Sequence, residues 1–129
     1  MSTDTDSIST LIADCYFNGA FNALDTAAMA RGFHPDFAIF SADGDKLARY
    51  PIQTWLGAIE QRKAAPGFDI ATARRACRIV KLDVTGDAAA AKIEIDRDGQ
   101  RLYTDYLSLL RFAEGWKIVA KVYMDHSSG

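Results

Sequence analysis

QRLYTDYLSLLRF (100–112), AEG (113–115) and WKIVAKVYMD (116–125) together read as two long strands joined by a tight turn. Tyr, Leu, Phe, Ile and Val dominate both runs, and Gly115 supplies the backbone freedom that a short hairpin loop demands. This is the central hairpin of an antiparallel sheet. Tyr103, Leu107 and Leu109 fall on one face, and Leu102, Tyr106, Leu110 and Phe112 on the other. A sheet apolar on both faces needs cover on both, so helices are expected on one side and a second subunit on the other. Asp105, a carboxylate in the middle of the hairpin, is the anomaly.

Upstream, Asp98-Gly99 and Thr85-Gly86-Asp87 are turn signals that set off strands at 88–96 and 76–84, which makes the C-terminal half a four-stranded meander. The run Ala88 to Ala91 favours helix but is too short to stand as one, and Ile93 and Ile95 alternate with Lys92, Glu94 and Asp96 as a strand does. The N-terminal half reads differently. Ile8, Leu11, Ile12, Cys15 and Tyr16 recur at helical spacing behind a Ser7 cap, and the helix runs on towards Phe21 with a weak point at Asn18-Gly19. Asp25 caps a short second helix that ends at Gly32, with Pro35 as its stop. A small hairpin follows, 37–41 with Asp43-Gly44 as its turn and 46–49 as its return. Pro51 then suits the first turn of a third helix marked by Ile52, Trp55, Leu56 and Ile59 and ended by Pro66-Gly67. Segregated helices followed by strands mean an α+β fold, with helices on one face of a curved sheet.

At 129 residues, 49% hydrophobic and 25% charged, the chain makes one domain, 1–129, with tails expected at 1–6 and 126–129. A net charge of -2 gives no basic footprint, so neither nucleic acid nor an anionic membrane is an expected partner. The first residues have no signal-peptide pattern and no apolar run spans a bilayer, so the cytoplasm is the expected location. Cys15 and Cys77 stand in no metal or redox spacing and read as buried free thiols. His34 and His126 are far apart, with no carboxylate at ligand spacing, so no metal site is expected. No nucleophile elbow, phosphate loop or dinucleotide fingerprint occurs, and no cofactor is expected.

Tyr16 with Gly19, Phe33-His34-Pro35-Asp36, Tyr50-Pro51-Ile52 with Trp55, Thr104-Asp105-Tyr106-Leu107-Ser108-Leu109 and Gly115-Trp116-Lys117-Ile118-Val119 resemble the lumazine-binding, SnoaL-like branch of the nuclear transport factor 2-like superfamily over residues 8–125. That resemblance implies a cone: three helices packed on a strongly curved antiparallel sheet, an open-ended apolar pocket between them, and an outer sheet face used for a homodimer. Its members include isomerases, cyclases, dehydratases and proteins that only bind, so the fold is implied more sharply than the activity.

The steroid isomerases of this superfamily pair a helix-one tyrosine with a protonated strand carboxylic acid as an oxyanion hole, and Tyr16 and Asp105 match those places. The general base those enzymes carry near the first strand has no counterpart, because Phe37-Ala38-Ile39-Phe40 offers only apolar side chains. Asp105 is either an inward functional acid or an outward structural carboxylate, and Tyr16 either a functional phenol or core. His34 either acts as a base or bonds the backbone beside Pro35. Lys121, Arg49 and Arg111 are cations that could meet an anionic ligand or simply face solvent.

The leading expectation is a small-molecule-binding protein for an apolar or aromatic ligand, with Phe37, Phe40, Trp55, Ile59, Tyr103 and Leu107 as lining between helix one, helix three and the sheet. The alternative is a cofactor-independent isomerase, cyclase or dehydratase using Asp105 with Tyr16 or His34. Two or more ionisable groups converging at the pocket favour the enzyme; a dry pocket with one isolated polar group favours the binder. If Asp105 points into the apolar cavity with Tyr16 nearby, burial raises its pKa, and Asp105→Asn leaves the protein as stable or more stable at neutral pH; an exposed or salt-bridged Asp105 predicts no gain or a loss.

Overall fold

The computed structural model describes residues 3–126. Its first helix, α1, is α-helical over Asp4–Leu11 and continues as a π-helix over Ile12–Asn22. It starts earlier than the Ser7 cap predicts, because the Thr3 side chain accepts from the Asp6 N–H and the acidic Asp4 and Asp6 suit a helix N-terminus. Residues 4–6 of the expected tail are therefore helical, while residues 1, 2 and 127–129 lie outside the described residues. The π-helical half was not legible from its apolar spacing. It ends where the Ala23 and Leu24 N–H groups both donate to the Asn18 carbonyl, and Leu24 turns the chain with a left-handed φ of 48°.

Helix α2 (Thr26–Gly32) carries the expected cap, Asp25 accepting from the Ala28 N–H. It packs tightly on α1. A Cβ on Gly32 would lie 2.4 Å from the Cys15 sulfur, and one on Gly19 would lie 2.7 Å from Met29 Cγ. Two glycines thus set the closeness of the helix pair.

The sheet has six strands in the order β2-β1-β6-β5-β4-β3. They are β1 (Phe33–Asp43), β2 (Lys46–Pro51), β3 (Ala76–Thr85), β4 (Ala88–Arg97), β5 (Gln100–Phe112) and β6 (Gly115–Asp125). The 3–4 and 4–5 turns follow the sequence signals: Asp98 and Gly99 both have positive φ, as a two-residue hairpin turn requires. β1 runs through Pro35, because its pairing with β6 is interrupted between Phe33 and Ala38 and no ladder hydrogen bond is asked of the proline. Pro51 closes β2 and caps α3 (Ile52–Ala64) rather than entering its first turn. A short 3₁₀ turn (Ile70–Ala73), absent from the sequence reading, leads into β3.

The β1–β6 seam is parallel, whereas every other pairing is antiparallel. The small hairpin and the meander are thereby one sheet, with β5 and β6 at its centre. Helices cover one face only, burying Ile8, Ile12, Met29, Phe33, Phe37, Ile93, Ile95, Leu107, Leu109 and Ile118. On the uncovered face Tyr106, Leu110, Val122 and Met124 stay exposed. Among the described residues no helix is long and apolar enough to cross a membrane.

Candidate functional site

β5 presents Tyr103, Asp105, Leu107 and Leu109 to the helices, which settles the face on which Asp105 lies: it is fully buried, on the inner side, opposite Ile93 and Tyr123. The buried face of the π-helical segment delivers Tyr16, also fully buried, and its hydroxyl donates a short hydrogen bond to Asp105 Oδ2. The third member is Lys121 on β6. Its Nζ donates to the Tyr16 oxygen at 2.7 Å and stands 3.8 Å from Asp105 Oδ2. Asp105 Oδ1 is buried without a hydrogen-bond partner. Lysine, tyrosine and aspartate thus form one chain of hydrogen bonds, amine to phenol to carboxylate.

Lys121 is inward because of a bulge. Trp116 and Ile118 are the buried side chains at the start of β6, and strict alternation from them would send residue 121 outward. The β5–β6 register slips between Ser108 and Leu109, the parity flips, and Lys121 and Tyr123 then face the helices beside Leu107 and Asp105. The amine lies 4.9 Å from the ring centroids of Tyr16, Trp55 and Tyr123, within reach of cation–π attraction from each.

Burial pushes both charged groups towards neutrality. Asp105 is raised above the usual carboxylate range by desolvation, opposed by the Lys121 charge and the Tyr16 hydrogen bond. Lys121 is lowered by desolvation, opposed by Asp105. The Tyr16 phenol is driven well above its ordinary value by burial and by the neighbouring carboxylate. The Cys77 thiol is pushed up to about 12, by burial first and then by Asp105.

Above the chain lies a recess of about 160 Å³ lined by Phe21, Trp55, Tyr103, Lys121 and Tyr123. Phe21 comes from α1, Trp55 from α3 and the rest from β5 and β6. Of the lining expected from sequence, Trp55 and Tyr103 border this recess, Phe37, Ile59 and Leu107 are core, and Phe40 lines a separate depression with Leu47 and Val122. His34 stands apart from Asp105. It stacks near Phe112, its Nδ1 accepts the Asp36 N–H, and Phe112 is seven residues along β5 from Asp105, roughly 23 Å of strand. Arg49 is exposed, and Arg111 pairs with Asp4 and Asp87. His126 meets Thr104 at 2.9 Å. Cys15 is buried and Cys77 half-buried, both as free thiols.

In the sequence Lys121 stands out only as one of several cations, and Phe21 and Tyr123 do not stand out as site residues. The available signal was a lysine set between Ala120 and Val122, within the apolar run that follows Lys117.

The family described as "Putative lumazine-binding" matches residues 3–124. Among solved structures, an NTF-2 like protein of unknown function from Silicibacter pomeroyi DSS-3 superposes with a TM-score of 0.70 at 24% identity, covering 98% of this chain and 100% of that one. An NTF2-like protein from Shewanella baltica OS155 gives 0.69 at 27%, covering 98% of both chains. A cystatin-like domain from Nostoc punctiforme gives 0.63 at 14%, covering 97% of this chain and 78% of that one, and carries the fold alone. No curated protein matches the sequence. With 122 consecutive positions matched and the same helix-on-sheet architecture throughout, the chain belongs to the putative lumazine-binding family of the nuclear transport factor 2-like superfamily.

Proposed function

We propose that the protein binds a small, planar, single-ring molecule in the recess over Lys121, with a carbonyl or carboxylate oxygen of the ligand meeting the lysine amine. The observation that carries this reading is an amine held at one distance from three aromatic rings at the floor of an open recess. A volume of about 160 Å³ suits one ring, since an apolar cavity of about 150 Å³ takes up benzene. Lys121 has three N–H donors and spends one on Tyr16, which leaves donor capacity for a ligand acceptor.

Trp55 lines the recess, so tryptophan fluorescence in a Trp116→Phe background tests the reading. Benzamide or benzoate should quench saturably, and Lys121→Met should abolish the response. Equal, unsaturable quenching of both proteins would overturn it.

One observation favours an enzyme: three ionisable side chains form one hydrogen-bonded chain whose Lys121 end lines the recess. Tyr16 and Asp105 are fully buried, however, and reach a ligand only through Lys121.

We further propose that two copies pair through the uncovered sheet face, where Tyr106, Leu110, Val122 and Met124 form an exposed apolar surface across the two central strands. Such a surface suits an isologous two-fold contact.

A further inference from the structure

We propose that Lys121 is an amine nucleophile that condenses with a small aromatic aldehyde in the recess to form an imine, with Tyr16 and Asp105 carrying the protons. The proposal rests on the binding site just described and adds a covalent step to it.

The geometry supplies each part of that step. Amine addition to a carbonyl needs a free lone pair, and the ammonium of Lys121 already donates to the Tyr16 oxygen, which in turn donates to Asp105 Oδ2. A concerted shift along these two bonds moves a proton from Nζ to the phenol oxygen while the phenol proton passes to Asp105. The result is a neutral amine, a neutral phenol and a neutral acid. Burial favours this uncharged pair, as it disfavours both the carboxylate and the ammonium. A turn about the Cε–Nζ bond aims the lone pair into the recess.

Nζ then bonds to the aldehyde carbon as the carbonyl π bond breaks, and a proton moves from nitrogen to the new alkoxide, giving a carbinolamine. The C–O bond breaks next, the nitrogen lone pair forms the C=N bond, and the hydroxyl departs as water with the proton that Asp105 returns through Tyr16. Ammonium and aldehyde have become a cationic imine and water, the carboxylate is restored, and no oxidant or reductant has taken part. The imine cation keeps the position of the ammonium beside the rings of Tyr16, Trp55 and Tyr123, so the same attraction that holds the lysine charge holds the product. The recess admits one ring, and its aromatic lining selects a benzaldehyde over a hydrated aliphatic aldehyde. The other lysines, Lys46, Lys63, Lys81, Lys92 and Lys117, are not buried, and among the described residues none of them donates to a phenol that in turn bonds a carboxylate.

The test uses benzaldehyde with sodium cyanoborohydride on the whole protein, followed by peptide mass spectrometry and, in parallel, the fluorescence titration. Lys121 should be benzylated at least tenfold faster than any other lysine, with benzoate competing. Tyr16→Phe should slow the labelling of Lys121 at least tenfold at saturating benzaldehyde and change its pH profile, which a loss of affinity alone would not do. Lys121→Arg, which keeps the charge, should fold and lose the fast label. Saturable quenching by benzaldehyde with Lys121 labelled no faster than the surface lysines would overturn the imine proposal and leave the binding reading standing. Absence of both quenching and labelling would remove the two together.

Discussion

Lys121 and Asp105 stand 3.8 Å apart on neighbouring strands, and the Tyr16 hydroxyl, hydrogen-bonded to both, joins them. Burying one charge without the other is costly, and breaking such a pair costs about 3–5 kcal/mol. Lys121→Met and Asp105→Asn should therefore each destabilise the fold at neutral pH by about 3 kcal/mol. The double variant should lose much less than the sum, because it leaves no orphan charge. Urea midpoints of the four proteins check this, and additive losses would mean that the groups do not act as a pair.

The sign of the pH dependence follows from the two directions. The folded pKa of Asp105 lies above its ordinary 3.8, so this group has no effect below that value and costs stability increasingly as pH rises through the folded value. The folded pKa of Lys121 lies below its ordinary 10.5, so its cost is full at lower pH and fades as pH climbs through the folded value towards 10.5. Relative to the double variant, the wild type should be least stable in the middle of the range and gain towards both ends. A difference curve that is flat or peaks near neutrality would contradict both shifts.

Tyr16→Phe keeps the ring contacts with Phe21, Phe33 and Trp55 and removes only the hydroxyl. Asp105 Oδ2 then loses a donor and Lys121 an acceptor, in addition to the oxygen that is already unpartnered. A loss of about 1–3 kcal/mol in chemical denaturation is expected. No change would show that water takes over the vacated hydrogen bonds.

Gly32→Ala places a methyl group 2.4 Å from Cys15 Sγ and 2.5 Å from its Cβ, so α2 must move off α1. About 1–3 kcal/mol should be lost. Adding Cys15→Ala should restore only part of it, since that substitution removes the sulfur and keeps the Cβ.

Light scattering at micromolar concentration should give a dimer mass for the wild type and a monomer mass for Val122→Lys, whose charge would enter the centre of the proposed interface. A wild-type monomer would sink the dimer.

The element order was legible because each signal was local: the Asp25 cap, the Asp98-Gly99 turn, the alternation around Ile93 and Ile95. Asp105 and Tyr16 could be singled out for the same reason, as a carboxylate in an apolar hairpin and an aromatic on a helical face. Lys121 could not, because its direction depends on a bulge that nothing in WKIVAKVYMD marks. Of the two cases that the sequence leaves open for Asp105→Asn, the amine beside it at 3.8 Å favours the paired carboxylate, for which a loss of stability is expected. The π-helical turn pattern was hidden likewise, since apolar spacing at i+3 and i+4 is shared with an α-helix. The side to which Phe40 turns, a depression shared with Leu47 and Val122, was not legible because a run of four apolar residues offers no alternation from which to choose a face.

The parallel seam between β1 and β6 has a consequence for how the chain is made. Of these six strands β6 leaves the ribosome last, yet it lies between β1 and β5, so the N-terminal hairpin has no route into the sheet until residues 115–125 have emerged. Helix α1 meanwhile waits with Tyr16 facing a partner not yet synthesised. The Asp105–Tyr16–Lys121 chain therefore cannot close before β6 is made, and a nascent chain stalled before Lys121 would leave the inner edge of β5 unpaired.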